Sequence, residues 1–122
     1  MKWLKKTLRR EQRELEHARR RFIRRPDEAH LHDVRTAGRR FRSLLEDVAV
    51  LVQSKRLRRR VKRAAAATDA ARDTAILVRL LEVSVGDAEA ALARPLLERL
   101  RAQEHRATRD ARKELRRTHF AP

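Results

Sequence analysis

The sequence predicts an all-α fold, an antiparallel four-helix bundle, and three observations carry that expectation. Two Gly and three Pro in 122 residues leave almost no turn chemistry for hairpins of strands. β-branched residues are sparse. Apolar residues recur at three-, four- and seven-residue steps, the period of one helix face. Four such segments with short connections favour an antiparallel bundle, and 122 residues suit one domain, 1–122, with no internal boundary.

The first helix is expected from about Lys2 to Arg24, with Leu4, Leu8, Leu15, Ala18 and Phe22 on one face and Lys6, Arg9, Arg13, Arg20 and Arg24 on the other. Pro26 ends it, and Asp27 is placed to cap the next helix. That second helix, about Glu28 to Val52, carries Val34, Ala37, Phe41, Leu44, Leu45, Val48 and Val52 on its apolar stripe. Ser54 is the expected N-cap of a third helix from Lys55 to about Val83, which places Leu57, Val61, Ala64, Ala65, Ile76, Leu80 and Leu81 inward. Its stripe drifts at Thr68-Asp69, so a kink or restart is expected there. The run Ala64 to Ala67 suits close helix approach. Ser84 to Asp87, with Gly86, reads as a loop, and Asp87 to Ala93 as a short helical turn. The last helix is expected from Pro95, a residue favoured at the first helical position, to about Thr118, with Leu96, Leu100, Ala107, Ala111 and Leu115 inward.

Charge bounds the function. Lys and Arg number 33 against 17 Asp and Glu, a net charge of +16, and 27 of the 33 are Arg. Such a protein is suited to polyanions, and the planar Arg fork grips phosphate bidentately. Leu, Ile, Val and Phe supply 29 residues, enough for a thin core. The absence of Cys removes disulfides, thiolate nucleophiles and zinc-thiolate sites. No segment approaches the roughly 18–20 apolar residues that span a bilayer, and MKWLKKTLRR leads into EQRELEHARRR rather than an apolar signal core. The expected location is the cytoplasm, with no membrane partner.

Catalytic signals are thin. Ser43, Ser54 and Ser84 have no His and carboxylate visibly placed to activate them, and Gly38 and Gly86 stand apart rather than in a phosphate loop. His30 and His32 point about 200° apart on a helix, so a shared metal ion is not expected, and His17, His105 and His119 are isolated. The chain is therefore read as a binding module with no enzymatic activity, cofactor or metal. Two basic rows stand out instead. His32, Arg35, Arg39 and Arg42 follow steps of three, four and three, and His105, Arg109, Arg112 and Arg116 repeat the arrangement on the last helix, each row placed about opposite the apolar stripe. Few aromatic residues and no Tyr leave no platform for stacking unpaired bases, whereas duplex backbone needs only positive charge.

The stretch AHLHDVRTAGRRFRSLLE, Ala29 to Glu46, resembles the opening signature of CHAD domains, a helical family named for its histidines that binds inorganic polyphosphate. In that pattern a His-Asp pair is followed by Arg at the third, seventh and tenth positions after the His, here Arg35, Arg39 and Arg42. LRRRVKRAAAATDAARDTAILVRLLE, Leu57 to Glu82, is similar to the family's basic helix and its Arg-Asp pair, here Arg72-Asp73. Asp69 stands where the family usually has Gly, which concerns the turn before Arg72. The resemblance implies that His32, Arg35, Arg39 and Arg42 contact phosphates, while Arg72-Asp73 is read as a structural ion pair. Lys62, His105, Arg109, Arg112 and Arg116 join the candidates on the stripe argument.

These readings give a CHAD-like half domain of four helices that binds inorganic polyphosphate and locates to polyphosphate granules. Nucleic-acid-backbone binding and docking of an acidic protein are the alternatives. Family members commonly run to about twice this length with two similar halves, so the resemblance implies that a chain with one bundle pairs with itself as a twofold homodimer.

Overall fold

The computed structural model describes residues 2–48, 55–86 and 89–120. Helix α1 spans Lys2–Arg24, α2 Glu28–Asp47, α3 Lys55–Ser84 and α4 Ala90–Arg117. The backbones approach from α1 to α2, α2 to α3, α3 to α4 and, more sparingly, α4 back to α1, whereas α2 and α4 stand diagonally across the core. That circuit is the antiparallel four-helix bundle, and among the described residues there is no strand.

The turn between α1 and α2 forms as its chemistry requires. The Arg25 N–H still reaches the Arg21 carbonyl at 2.9 Å, Pro26 cannot continue the ladder, and the extended Asp27 accepts the His30 N–H at 2.9 Å. The His30 backbone N–H and then its ring, 2.6 Å from the same oxygen, hold the Asp27 carboxyl below its ordinary pKa. The expected extension of α2 to Val52 and the Ser54 cap lie outside the described residues.

The core is one cluster. Leu15, Ala18 and Phe22 of α1 meet Leu31, Val34, Phe41 and Leu45 of α2, Val61, Ala64 and Ala71 of α3, Ala111 and Leu115 of α4, and Phe120 beyond α4. Two interior residues carry no signal in the apolar spacing. Thr68 is buried at a core position of the series Val61, Ala64, Thr68, Ala71, Ala75 and Val78, and its hydroxyl donates to the carbonyl of Ala64 at 3.0 Å. The stripe therefore does not drift, and α3 runs unbroken through the position of the expected kink. Phe120 is sealed in by a polar latch: its N–H donates to the Glu16 carboxylate at 3.0 Å, Glu16 accepts from Arg19 at 2.7 and 2.9 Å, and Arg19 donates to the Leu115 carbonyl at 2.7 Å. Burial pushes the Glu16 pKa up, but hydrogen bonds from Arg19 and Phe120 with the charges of Arg19 and Arg20 outweigh it and hold the carboxyl below its usual range.

Pro95 lies within α4 rather than opening it. In the second turn its ring removes one hydrogen bond, the one that would end on the Ala91 carbonyl, and the helix begins instead at Ala90, where Leu92 and Ala93 donate to the Glu89 carbonyl at 3.1 and 3.0 Å. The short turn expected over Asp87 to Ala93 is thus absorbed into α4 as far as it is described. Three inward assignments are corrected: Ile76, Leu80 and Leu96 are 42%, 58% and 50% exposed. α3 and α4, with 30 and 28 residues, outrun α1 and α2, with 23 and 20, so their distal ends have only each other to pack against.

Candidate anion-binding cleft

The α2 row is not opposite the apolar stripe but beside it, along the seam with α3. Val34 and Phe41 point into the core, and a rotation of roughly 100° per residue carries Arg35 and Arg42 to the α3 side. Arg35, Arg39 and Arg42 line a narrow cleft whose far wall is Val61, Ala64, Ala65, Thr68 and Asp69 of α3. Arg35 also borders the adjoining opening, of about 460 Å³, with His32 and Glu28 of α2 and Arg72, Ile76 and Arg79 of α3. The two openings adjoin at Arg35, whose ion pair with Asp69 stands between them, and together they border the α2–α3 seam from Arg42 to His32, roughly 15 Å at the helical rise.

Two cross-helix ion pairs set its width. The Arg35 guanidinium grips Asp69, and Arg79 grips Glu28. Arg35 is mostly buried, and its Nε, shielded from water, finds no acceptor among the described residues, as does Nε of Arg58. A buried donor left unmade is costly, so at Arg35 the groove wall holds a donor that an acceptor with several oxygens would satisfy. Arg42 Nε leans on Glu46 at 3.2 Å, Arg39 is exposed, and His32 Nε2 stands 3.5 Å from the Thr36 hydroxyl. Lys62 is exposed, three residues before Ala65 and seven before Asp69, and so edges the α3 wall without lining it.

The α4 row is elsewhere. Arg112 Nε donates to the Ile23 carbonyl at 2.6 Å, capping the C-terminus of α1 where a cation is favoured. His105, Arg109 and Arg116 are exposed, and because α2 and α4 stand diagonally across the core, this row and the α2 row do not converge within one chain. Arg40, next to the α2 row in sequence, lies on the α1 side, where it borders a hollow with Glu11, Glu14 and Arg21 of α1 that His32 also lines.

Arg72 and Asp73 form no ion pair with each other among the described residues; adjacent on a helix, they diverge by about 100°. Arg72 instead joins the groove, together with Arg79, which no sequence motif marks. Their seven-residue separation, in phase with Ala65, was the available signal. No three His, Asp or Glu side chains gather closely enough among the described residues to hold a metal ion, and no described helix is long and apolar enough to cross a membrane.

The arrangement is a positively lined trough with guanidinium groups at intervals of one helical turn, chemistry suited to an extended anion with repeating oxygens. Residues 4–122 match the CHAD domain family model, essentially the whole chain. No curated protein and no solved structure matches it.

Proposed function

The chain belongs to the CHAD domain family, a family associated with polyphosphate, and from that membership we propose that its α2–α3 groove binds inorganic polyphosphate. One observation carries the reading: His32, Arg35, Arg39 and Arg42, the residues matching the family's signature, border two adjoining openings of the α2–α3 seam, one of them shared with Arg72 and Arg79 of the facing helix. Binding is electrostatic, with guanidinium forks replacing the counterions of the phosphate chain, and there is no chemical step. A module of this kind holds the chain at cytoplasmic polyphosphate granules. The reading includes self-association, since the α4 row reaches the same polyanion only when a second copy supplies it.

Titration with polyphosphate, duplex DNA and RNA at matched phosphate concentration tests the proposal. Polyphosphate, lacking base and sugar, is expected to bind at least as tightly as either nucleic acid; clear preference for duplex DNA would make the groove a nucleic-acid site. Arg39→Ala is the cleanest probe, because its side chain is exposed and makes no ion pair among the described residues. It should weaken binding and flatten the dependence of log affinity on log salt, by about 0.7 for each phosphate of a single-stranded polyanion that the protein no longer neutralises. Arg40→Ala, on the α1 side, should change affinity far less. Equal losses from both would show that diffuse charge, not the groove, holds the ligand.

A further inference from the structure

We propose that the distal half of the α3–α4 hairpin is the contact face of a homodimer, with Leu77, Leu80 and Val83 of one copy packed against Leu92 and Leu96 of the other. The idea rests on the preceding reading only in that a second copy brings the α4 row to a shared polyanion; the face itself is argued from exposure and charge.

Past Arg79, which pairs with Glu28 at the start of α2, α3 runs beyond α2 and has only α4 beside it, where Arg101 pairs with Glu82 at 2.9 Å. On α4, no described residue before Ala111 is buried. Six large apolar residues stay in water as a result: Ile76, Leu77, Leu80 and Val83 on α3, and Leu92 and Leu96 on α4. Ile76, Leu80 and Val83 share one stripe, Leu77 lies beside it toward α4, and Leu92 and Leu96 are one turn apart. The six are 42% to 86% exposed, and large apolar side chains left in water in this number at one end of a hairpin mark an interaction surface.

Charge selects the occupant. Asp73 to Leu100 contains five carboxylates, Asp73, Glu82, Asp87, Glu89 and Glu98, against Arg79, Arg94 and Arg99. The other 94 residues hold 30 basic and 12 acidic side chains. The leucines therefore sit in a stretch of a +16 protein whose own net charge is negative and does not repel a second copy, and both signs flank them. A twofold contact requires a self-complementary patch: Arg94 or Arg99 of one copy meeting Glu98 of the other satisfies that, and the apolar centre excludes water. An acidic protein partner would be drawn to the basic groove or to the Lys55–Arg63 run instead, and an anionic lipid surface would meet carboxylates here. Ile76 belongs to both the patch and the groove wall, so the interface adjoins the mouth of the binding trough.

Sedimentation of the whole chain at high salt without polyanion tests the face. The wild type is expected to show a concentration-dependent monomer–dimer equilibrium. Leu92→Glu and Val83→Glu change residues that are 84% and 86% exposed, so helicity by circular dichroism should be unchanged while each weakens the dimer by about tenfold or more, because a carboxylate carried into the contact is desolvated without a partner. Trp3→Ala, at a large exposed side chain on α1, should leave association as it was. A wild type that stays monomeric, variants that dimerise like the wild type, or a dimer that appears only with polyphosphate and survives Leu92→Glu would each overturn the proposal. Arg39→Ala separates the two readings: unchanged polyphosphate affinity there defeats the groove without touching the dimer, while loss of the dimer in Leu92→Glu with polyphosphate still bound supports the face.

Discussion

At its open end the α3–α4 hairpin is closed over by α1, α2 and Phe120; at its looped end the same two helices run on with their leucines in water. The contrast is also one of charge. Lys55 to Arg63 packs seven basic residues into nine, whereas five carboxylates fall between Asp73 and Leu100. Small residues fill the first region, with Ala64, Ala71 and Ala111 fitting between Phe22, Phe41 and Phe120, and large ones crowd the second, where nothing covers them. A cationic groove needs a rigid support, since its guanidinium groups repel one another and only a packed core holds them in place. The proposed binding groove accordingly lies over the solid part of the molecule, and the apolar surface where the core stops.

The largest expected effect breaks the packed region. Phe41 is buried at the junction of α1, α2 and α3, so Phe41→Ala should cost about 3–5 kcal/mol in denaturant unfolding, much of the stability of a domain this size. A loss below about 1 kcal/mol would mean that the two ends of the hairpin are equally loose, and the comparison would fail.

What the sequence makes legible follows the same division. The four helices and most core positions can be read because Leu, Val and Phe repeat at helical spacing, as Leu15, Phe22, Val34 and Leu45 do. Thr68 is hidden by its hydroxyl, which looks like a break and is satisfied by the helix's own carbonyls. The Glu16–Arg19 latch is illegible, since it acquires meaning only when residues about 100 positions away, Leu115 and Phe120, fold onto it. The α2 row of the groove can be seen as a spacing, but Arg72 and Arg79 depend on the angle at which α2 crosses α3, which no single-helix pattern contains. For Leu80 and Leu96, periodicity names a face and cannot say whether anything covers it.

The latch gives the next prediction, of intermediate size and dependent on pH. Glu16 has a lower pKa folded than unfolded, so its contribution to stability is fully present above the ordinary glutamate range and is lost as pH falls through the lower folded value. Glu16→Gln should therefore destabilise the protein at neutral pH by about 1–3 kcal/mol, leaving Arg19 buried beside a weaker acceptor, and should flatten the acid limb of the stability curve. Parallel acid limbs in wild type and variant would place the sensitivity elsewhere. Thr68→Val should matter less, within about 1 kcal/mol, because the carbonyls of Ala64 and Ala65 keep their helical bonds when the hydroxyl is gone.

The smallest effect sharpens the comparison most. Leu80 and Leu45 are the same residue type on neighbouring helices, one 58% exposed and the other 1%. Leu45→Ala should cost about 2–5 kcal/mol through reduced burial and an incompletely filled cavity. Leu80→Ala, measured at protein concentrations low enough to keep the chain monomeric, should stay within about 0.5 kcal/mol, because there is little burial to lose and no cavity to open. If the chain pairs as proposed, mass action should raise the wild-type melting temperature with concentration, and Leu80→Ala should reduce that rise. A loss above about 1 kcal/mol in the monomer would mean that the looped end is already covered within one chain, and the leucines there would then belong to the core and not to a contact between copies.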